Sequence, residues 1–349
     1  MKTVFKTIFL FLSSILMLIP QVFPSGGQDN PIDKNNGGDP FIANDGGQYY
    51  YTYTTGGNIT IRHIASFYDT AVSESKTVYT AGKDAIIGDI WAPEIHQIGG
   101  KWFIIASALF DKTKVEKGAM PEAGGNDVGN DSYRYGFVLE SVSDNLFGDY
   151  EFKGRLAPGG LSNIDGTFMQ LNGKLYFVFS GYVDSAYQCI YIVEMENPYT
   201  VKENAVVEKL SEPEYKWEKE GWYVNEGPAV LQRGGGAYIV YSASGFTSGN
   251  YCLGLLSFKG GDPMKKGNWC KSPVPVFAKN PVENIYNTGH CNFVTVGEDV
   301  YMTYHASQTP SLADSPRATH IQKIYFQGDI PVFQKPSRKF NFALPAVTE

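Results

Sequence analysis

Five stretches of this chain read alike, and any fold assigned to it must account for them. They are "DPFIANDGGQYYYTYTTG" from Asp39, "APEIHQIGGKWFIIASA" from Ala92, "DGTFMQLNGKLYFVFSG" from Asp165, "EGPAVLQRGGGAYIVYSASG" from Glu226 and "HCNFVTVGEDVYMTYHAS" from His290. Each starts at one opening position, runs through a short apolar strand, turns at Gly or Asn-Gly and returns through an aromatic-rich strand. That is the pattern of a β-hairpin. Ten residues separate the opening position from the return strand at Tyr49, Trp102, Leu175 and Val300; in the fourth stretch "RGGG" adds one, so Ala237 follows after eleven.

Successive opening positions lie 53, 73, 61 and 64 residues apart. Such a period leaves room for two further strands per unit, which makes a four-stranded propeller blade. The expected fold is therefore all-β: a five-bladed β-propeller of four-stranded antiparallel blades around a central channel. Helical periodicity is scarcely visible outside the first residues, and the agreement among hairpin lengths argues against a β-sandwich. The strand nearest a propeller's axis starts at the channel mouth, so the opening residues Asp39, Ala92, Asp165, Glu226 and His290 are expected to face one another there. Three carboxylates and an imidazole, distant in sequence, would share one funnel.

Like charges in a partly desolvated site raise each other's pKa, so three gathered acids need a chemical reason. Glycoside hydrolysis supplies one: a protonated acid for the leaving oxygen and an ionised carboxylate to act on water or the sugar. The third acid would tune and position the first.

The sequence resembles glycoside hydrolase family 43, five-bladed propeller enzymes acting on arabinose- and xylose-containing polysaccharides. The resemblance rests on "GDPFI", "DIWAPEIHQIGGKWFIIAS", "SNIDGTFMQLNGKLYFVFSG", "VNEGPAVLQRGGGAYIVYSASG" and "TGHCNFV", in that order and spacing. It implies that Asp39 is the general base, that Asp165 raises the pKa of the acid and orients it, and that Glu226 is the general acid. It also implies inversion, with Asp39 and Glu226 roughly 6.5–9.5 Å apart. His290 matches a histidine beneath the sugar site that helps hold a hydrated calcium ion in the channel; no cofactor is required for the chemistry. Trp91 is a candidate for stacking on a sugar face, against the alternative of a core aromatic. Arg317, in "DSPRATHIQKI", is a candidate for hydrogen bonding the sugar, against simple surface solvation. Glu94 is expected to support the site, and His96 and His63 to be ordinary structural or exposed histidines. The first choice of activity is release of L-arabinofuranose from arabinan or arabinoxylan, with endo-arabinanase and β-xylosidase as alternatives and a non-catalytic sugar-binding propeller as the alternative of another class. The Asp boxes of sialidases, the "RD" and "EC" acids of fructan-cleaving enzymes and the GH/WD signatures of interaction scaffolds are missing.

The start, "MKTVFKTIFLFLSSILMLIPQVFPSGG", places Lys2 and Lys6 before an apolar run that ends at Pro20. It is too short for the ~20 residues of a membrane span and reads as a secretory signal over residues 1–26, leaving residues 27–349 as the propeller. The expected mature protein is secreted, with no membrane attachment, and acts on plant cell-wall polysaccharide or oligosaccharide. A formal charge of −7 without a Lys/Arg cluster argues against nucleic acid. Cys189, Cys252, Cys270 and Cys291 include no CxxC pair, which makes zinc improbable and leaves disulfides and free thiols both open. "NIT" at Asn58 and "NDS" at Asn130 match the glycosylation acceptor pattern. The long polar stretch 111–136 is expected to wall the site.

Overall fold

The fold was derived from a computed structural model, which describes residues 29–339 except 67–68, 115–131, 161 and 182–186. The proposed signal, Asn130 and most of the stretch 111–136 lie outside the described residues.

Five antiparallel sheets follow one another along the chain. The first contains β1 (Phe41–Asp45), β2 (Gln48–Thr52), β3 (Asn58–Ser66) and β4 (Asp69–Thr80), and the second β5 (Ile86–Ile98), β6 (Lys101–Asp111), β7 (Ser132–Ser141) and β8 (Tyr150–Leu156). The third holds β9 (Asn163–Leu171), β10 (Lys174–Gly181) and β11 (Cys189–Asn197), with an outer edge split into β12 (Thr200–Val201) and β13 (Glu208–Ser211). The fourth comprises β14 (Asn225–Arg233), β15 (Gly236–Ala243), β16 (Cys252–Phe258) and β17 (Trp269–Lys271). The fifth comprises β18 (Tyr286–Val296), β19 (Asp299–Ser307), β20 (Ala318–Gln327) and β21 (Ile330–Val332). These are the blades of a five-bladed propeller.

Successive strand residues face opposite sides of a sheet, and here both sides are buried. Ile104 packs in a cluster shared by the first and second blades, while its neighbours Phe103 and Ile105 pack in one shared by the second and third. Three further clusters join the remaining pairs of adjacent blades, including the fifth with the first through Ile42, Tyr51, Val294 and Ile321. Blades buried on both faces explain why the strands are apolar almost throughout rather than alternating. The ring is clasped by Asn30, which donates to the Ile321 carbonyl at 2.7 Å and accepts from the Ile321 amide at 2.9 Å.

Every blade's first hairpin closes through two residues, including the fourth, where Arg233 pairs with Gly236 around Gly234 and Gly235. The extra residue expected in "RGGG" is therefore absent from the turn. The position ten residues before Ala237 is Gly227, and the backbone shows that it is the true counterpart of the other opening residues. Asp39, Ala92, Asp165, Gly227 and His290 all adopt left-handed φ, between 45° and 56°. In the second to fifth blades the innermost strand also bulges here: 91 to 94, 164 to 167, 226 to 229 and 289 to 292 each advance three residues against two on the partner. A bulge of this kind re-aims side chains next to functional sites. Glu226 thus stands one residue ahead of the symmetric ring position.

Candidate active site

The left-handed opening residues turn their amides out of their own ladders. Four of the five donate to a side chain of the preceding blade: Asp39 to His305 Nδ1 (3.5 Å), Ala92 to Thr54 Oγ1 (2.8 Å), Gly227 to Asp165 Oδ2 (3.1 Å) and His290 to Ser242 Oγ (2.8 Å). The strain of non-glycine residues in this region, of order 1 kcal/mol each, therefore binds the blades together at the mouth. Gly227 has a further reason to be glycine. A Cβ there would meet His290 Nδ1 at 3.1 Å and Ser242 Oγ at 3.2 Å.

Asp39 sits among cations and donors. Arg317 donates to Oδ1 at 2.9 Å, Thr54 donates to Oδ2 at 2.7 Å, and His290 Nδ1 lies 3.3 Å from Oδ1. Burial opposes ionisation of Asp39, but Arg317, His290 and His305 together outweigh it and hold the carboxyl well below its ordinary range. Asp165, 8% exposed, has His290 Nδ1 at 4.0 Å. Burial pushes its pKa up to about 6 against the pull of His290, with the Asp39 charge adding to the rise.

Glu226 is half-buried, and among the described residues no cation is in hydrogen-bond contact with it. Oε1 accepts from the Tyr251 hydroxyl and Oε2 from Gln188 Nε2, both at 2.7 Å. Desolvation first, and the charge of Asp165 second, push it up to about 7. Tyr251 itself lies flat against His305, ring centroids 5.4 Å apart, and closes over Gly289, where a Cβ would meet its ring at 2.1 Å. The site thus holds one carboxyl kept ionised and one that retains its proton up to about neutrality, the condition for paired acid–base chemistry.

The structure gathers Asp39, Asp165, Glu226, His290 and Arg317 at one mouth. Trp91 borders it, half-buried, with the Arg134 guanidinium 3.3 Å from the ring centroid; Arg134 is fixed by the Asp89 carbonyl at 2.9 Å. Glu94 departs from the mouth: the bulge at Ala92–Pro93 sends it into the axial cavity, where it pairs with His96 Nε2 at 2.7 Å. His63 lies away from the site, against Gln48 and Tyr50. Sequence reasoning missed Thr54, Gln188, Ser242, Tyr251 and His305, which come from return strands and loops outside the repeated opening. No disulfide joins the four cysteines, of which three are buried and Cys270 is exposed.

The axial cavity, about 420 Å³, is lined by the innermost strands of all five blades. Its ionic donors are Glu94 and His96, already paired, amid amides and hydroxyls such as Gln97, Thr167 and Asn292. Calcium takes six to eight oxygen ligands, commonly with several carboxylates. Among the described residues no group of three or more His, Cys, Asp or Glu side chains is placed to hold a metal. The donor set does not fit a directly coordinated calcium ion.

A ring of five sheets with three acids at its mouth defines a propeller of the glycosidase type. The model for glycosyl hydrolases family 43 matches residues 28–331, and the chain belongs to that family. It is 31% identical over 322 residues to an extracellular exo-α-(1→5)-L-arabinofuranosidase of Streptomyces avermitilis, covering 88% of this chain and 63% of that protein. A second enzyme so named, from Streptomyces chartreusis, is 32% identical over 299 residues, 82% of this chain and 85% of that one. The crystal structure of an α-L-arabinofuranosidase from Lactobacillus brevis superposes with a TM-score of 0.77 at 29% identity, over 90% of this chain and 98% of that one. The chain therefore spans less than two thirds of the first relative's length but nearly all of the solved enzyme.

Proposed function

We propose that this chain is an inverting, exo-acting α-L-arabinofuranosidase that removes single L-arabinofuranose units from arabinan or arabinoxylan. The observation carrying the reading is the opposite treatment of two acids at one mouth: Asp39 among Arg317, His290 and His305, and Glu226 among neutral donors beside Asp165. Asp39 takes a proton from water as the water oxygen bonds to the anomeric carbon. The bond from that carbon to the leaving oxygen breaks on the opposite face, and Glu226 gives its proton to that oxygen. Asp165, hydrogen bonded to the Gly227 amide beside Glu226, keeps the acid protonated by its charge and steadies the bulge that carries it. Arg317 holds Asp39, and His290 lies between Asp39 and Asp165 beneath the sugar. Trp91, braced by Arg134, offers a face to the furanose ring. The sugar identity is supported by the names of the similar proteins.

We further propose that residues 1–26 are a leader removed on export. This agrees with the "extracellular" in two relatives' names.

Product analysis on linear arabinan, arabinoxylan and p-nitrophenyl glycosides tests the reading. Free arabinose as the sole early product, appearing first as the β-anomer by NMR, is expected. Oligosaccharides as the first products would replace exo with endo action, and α-arabinose would replace inversion with retention.

A further inference from the structure

A buried ion pair needs a reason, because apolar side chains of similar volume often fill the same space at less cost. Glu218 is the most deeply buried carboxylate among the described residues, fully enclosed, and the chemistry above gives it no task. It ends the short 3₁₀ turn Lys216–Glu218, in the segment between the third and fourth blades. Lys271 meets it from β17, the outermost strand of the fourth blade, with Nζ 2.8 Å from Oε1 and the lysine side chain 12% exposed.

Both members of the pair are hydrogen bonded further. Glu218 Oε2 accepts from the amides of Glu214 (2.7 Å) and Tyr215 (2.8 Å), and Oε1 accepts from the Tyr241 hydroxyl (2.9 Å) and Asn225 Nδ2 (3.0 Å). Lys271 also donates to the Glu212 carbonyl and, at 3.4 Å, to Asn225 Oδ1, which accepts from Ser211 Oγ at 2.7 Å. Both ends of the Asn225 side-chain amide are thus engaged, and Asn225 immediately precedes Glu226. Its backbone is held as well: its N–H donates to the Gln188 carbonyl at 2.8 Å, and its carbonyl accepts from Ser180 Oγ at 3.0 Å. Ser180 Oγ in turn accepts at 2.9 Å from Gln188 Nε2, the nitrogen that donates to Glu226 Oε2. Two routes therefore run from the ion pair to the acid, one along the chain through Asn225 and one across to it through Gln188.

We infer that Glu218 and Lys271 are positioning residues for the general acid: without touching substrate, they fix Asn225 and Gln188 and so hold the Glu226 carboxyl where the departing oxygen emerges. The inference rests on the proposed glycosidase reading. The bulge interrupts the ladder directly after Glu226, so the aim of this side chain depends on what anchors the residue before it. Apolar side chains would fill the space of the pair but offer Asn225 no donor or acceptor to set its angle. Proton transfer needs the acid within roughly 2.6–3.2 Å of its target, and a misplacement of about 1 Å can cost ~10² in rate.

The test measures kcat and KM of the natural protein, Lys271→Met and the double variant Lys271→Met/Glu218→Gln on α-1,5-linked arabinotriose and on p-nitrophenyl arabinofuranoside, with melting curves giving the folded fraction at the assay temperature. Lys271→Met leaves a carboxylate buried and unpaired and destabilises the fold; the double variant removes both charges at nearly constant volume and carries the measurement if the single one does not fold. For the folded variants kcat on arabinotriose is expected to fall by roughly ten- to a hundredfold with KM within about twofold, while the nitrophenyl glycoside, whose leaving oxygen needs little protonation, loses less than about threefold. Equal losses on the two substrates, or a lower melting temperature with kcat unchanged on both, overturn the inference and leave the pair a role in folding alone, with the glycosidase reading still standing. If the natural protein cleaves neither substrate, that reading itself fails and the role assigned to the pair falls with it.

Discussion

The two acids proposed for the chemistry stand at one mouth but in opposite company. Around Asp39 are one guanidinium and two imidazoles, whereas Glu226 meets a phenol, an amide and the nearby charge of Asp165. Burial acts on both in the same direction. Arg317 and the imidazoles decide the outcome for Asp39, whereas at Glu226 burial and the charge of Asp165 outweigh the pull of His290. One desolvated funnel therefore holds both an ionised carboxyl and one with a raised pKa because Arg317, delivered by the loop before β20, reaches only the first. His305 contributes chiefly as a fixed partner: burial drives its own pKa down to about 3, so it is neutral at working pH.

The comparison breaks most visibly in amide variants of the two acids. Asp39→Asn removes the proton acceptor and should lower turnover by ~10²–10⁴, alike on natural arabinan and on p-nitrophenyl arabinofuranoside. Glu226→Gln should lose as much on arabinan but far less on the nitrophenyl glycoside, whose leaving oxygen needs little protonation. Steady-state kinetics on both substrates decide the matter. If the substrate-dependent loss belongs to Asp39 instead, the roles are reversed.

A smaller change sharpens the role of the cation. Arg317→Gln withdraws the charge that offsets burial at Asp39, so the pKa of Asp39 should rise and the acid limb of kcat/KM against pH should move towards neutrality. A loss of about tenfold near neutral pH, deepening at lower pH, is expected. A uniform loss at all pH values would reduce Arg317 to a sugar contact.

The difference between the acids also predicts where the fold carries a cost. Glu226 has its pKa raised from 4.5 to about 7, so the folded protein binds more protons than the unfolded chain between those values, and stability falls as pH rises through that window. Glu226→Gln abolishes this term. Its amide can still accept from Gln188 and donate to Tyr251. The melting temperature of the variant should match that of the natural protein near pH 4 and exceed it by roughly 2 °C at pH 8. A gap that widens on acidification would place a depressed pKa on Glu226 and contradict the acid role.

The repeated hairpins made the ring of blades legible, together with Asp39, Asp165, Glu226 and His290 at its mouth. In the fourth repeat the acid, the chemically conspicuous residue, draws the opening position one residue too early. Strict spacing of ten residues selects Gly227, and the structure shows why glycine suits it: at the ring position in that blade a Cβ would crowd His290 and Ser242. Tyr251 and Gln188 carried no such signal. They enter from segments whose lengths vary between blades, and only the closed ring decides which side chain meets which carboxylate. The bulges are equally silent in sequence, so the departure of Glu94 into the axial cavity emerges only from the strand registers.

The gentlest test acts on a single hydrogen bond on the acid's side. Tyr251 donates to Glu226 at 2.7 Å, which favours the anion and tempers the rise caused by burial and Asp165. Tyr251→Phe keeps the flat contact with His305 and removes that donor, together with the hydroxyl's hydrogen bond to Ser242. The pKa of Glu226 should climb further, carrying the alkaline limb of kcat/KM upward by a few tenths of a pH unit while the acid limb set by Asp39 stays in place, with turnover within about tenfold of the natural protein. Movement of the acid limb instead would mean that the two carboxyls titrate as one unit and that the separation between cationic and neutral surroundings does not assign their roles.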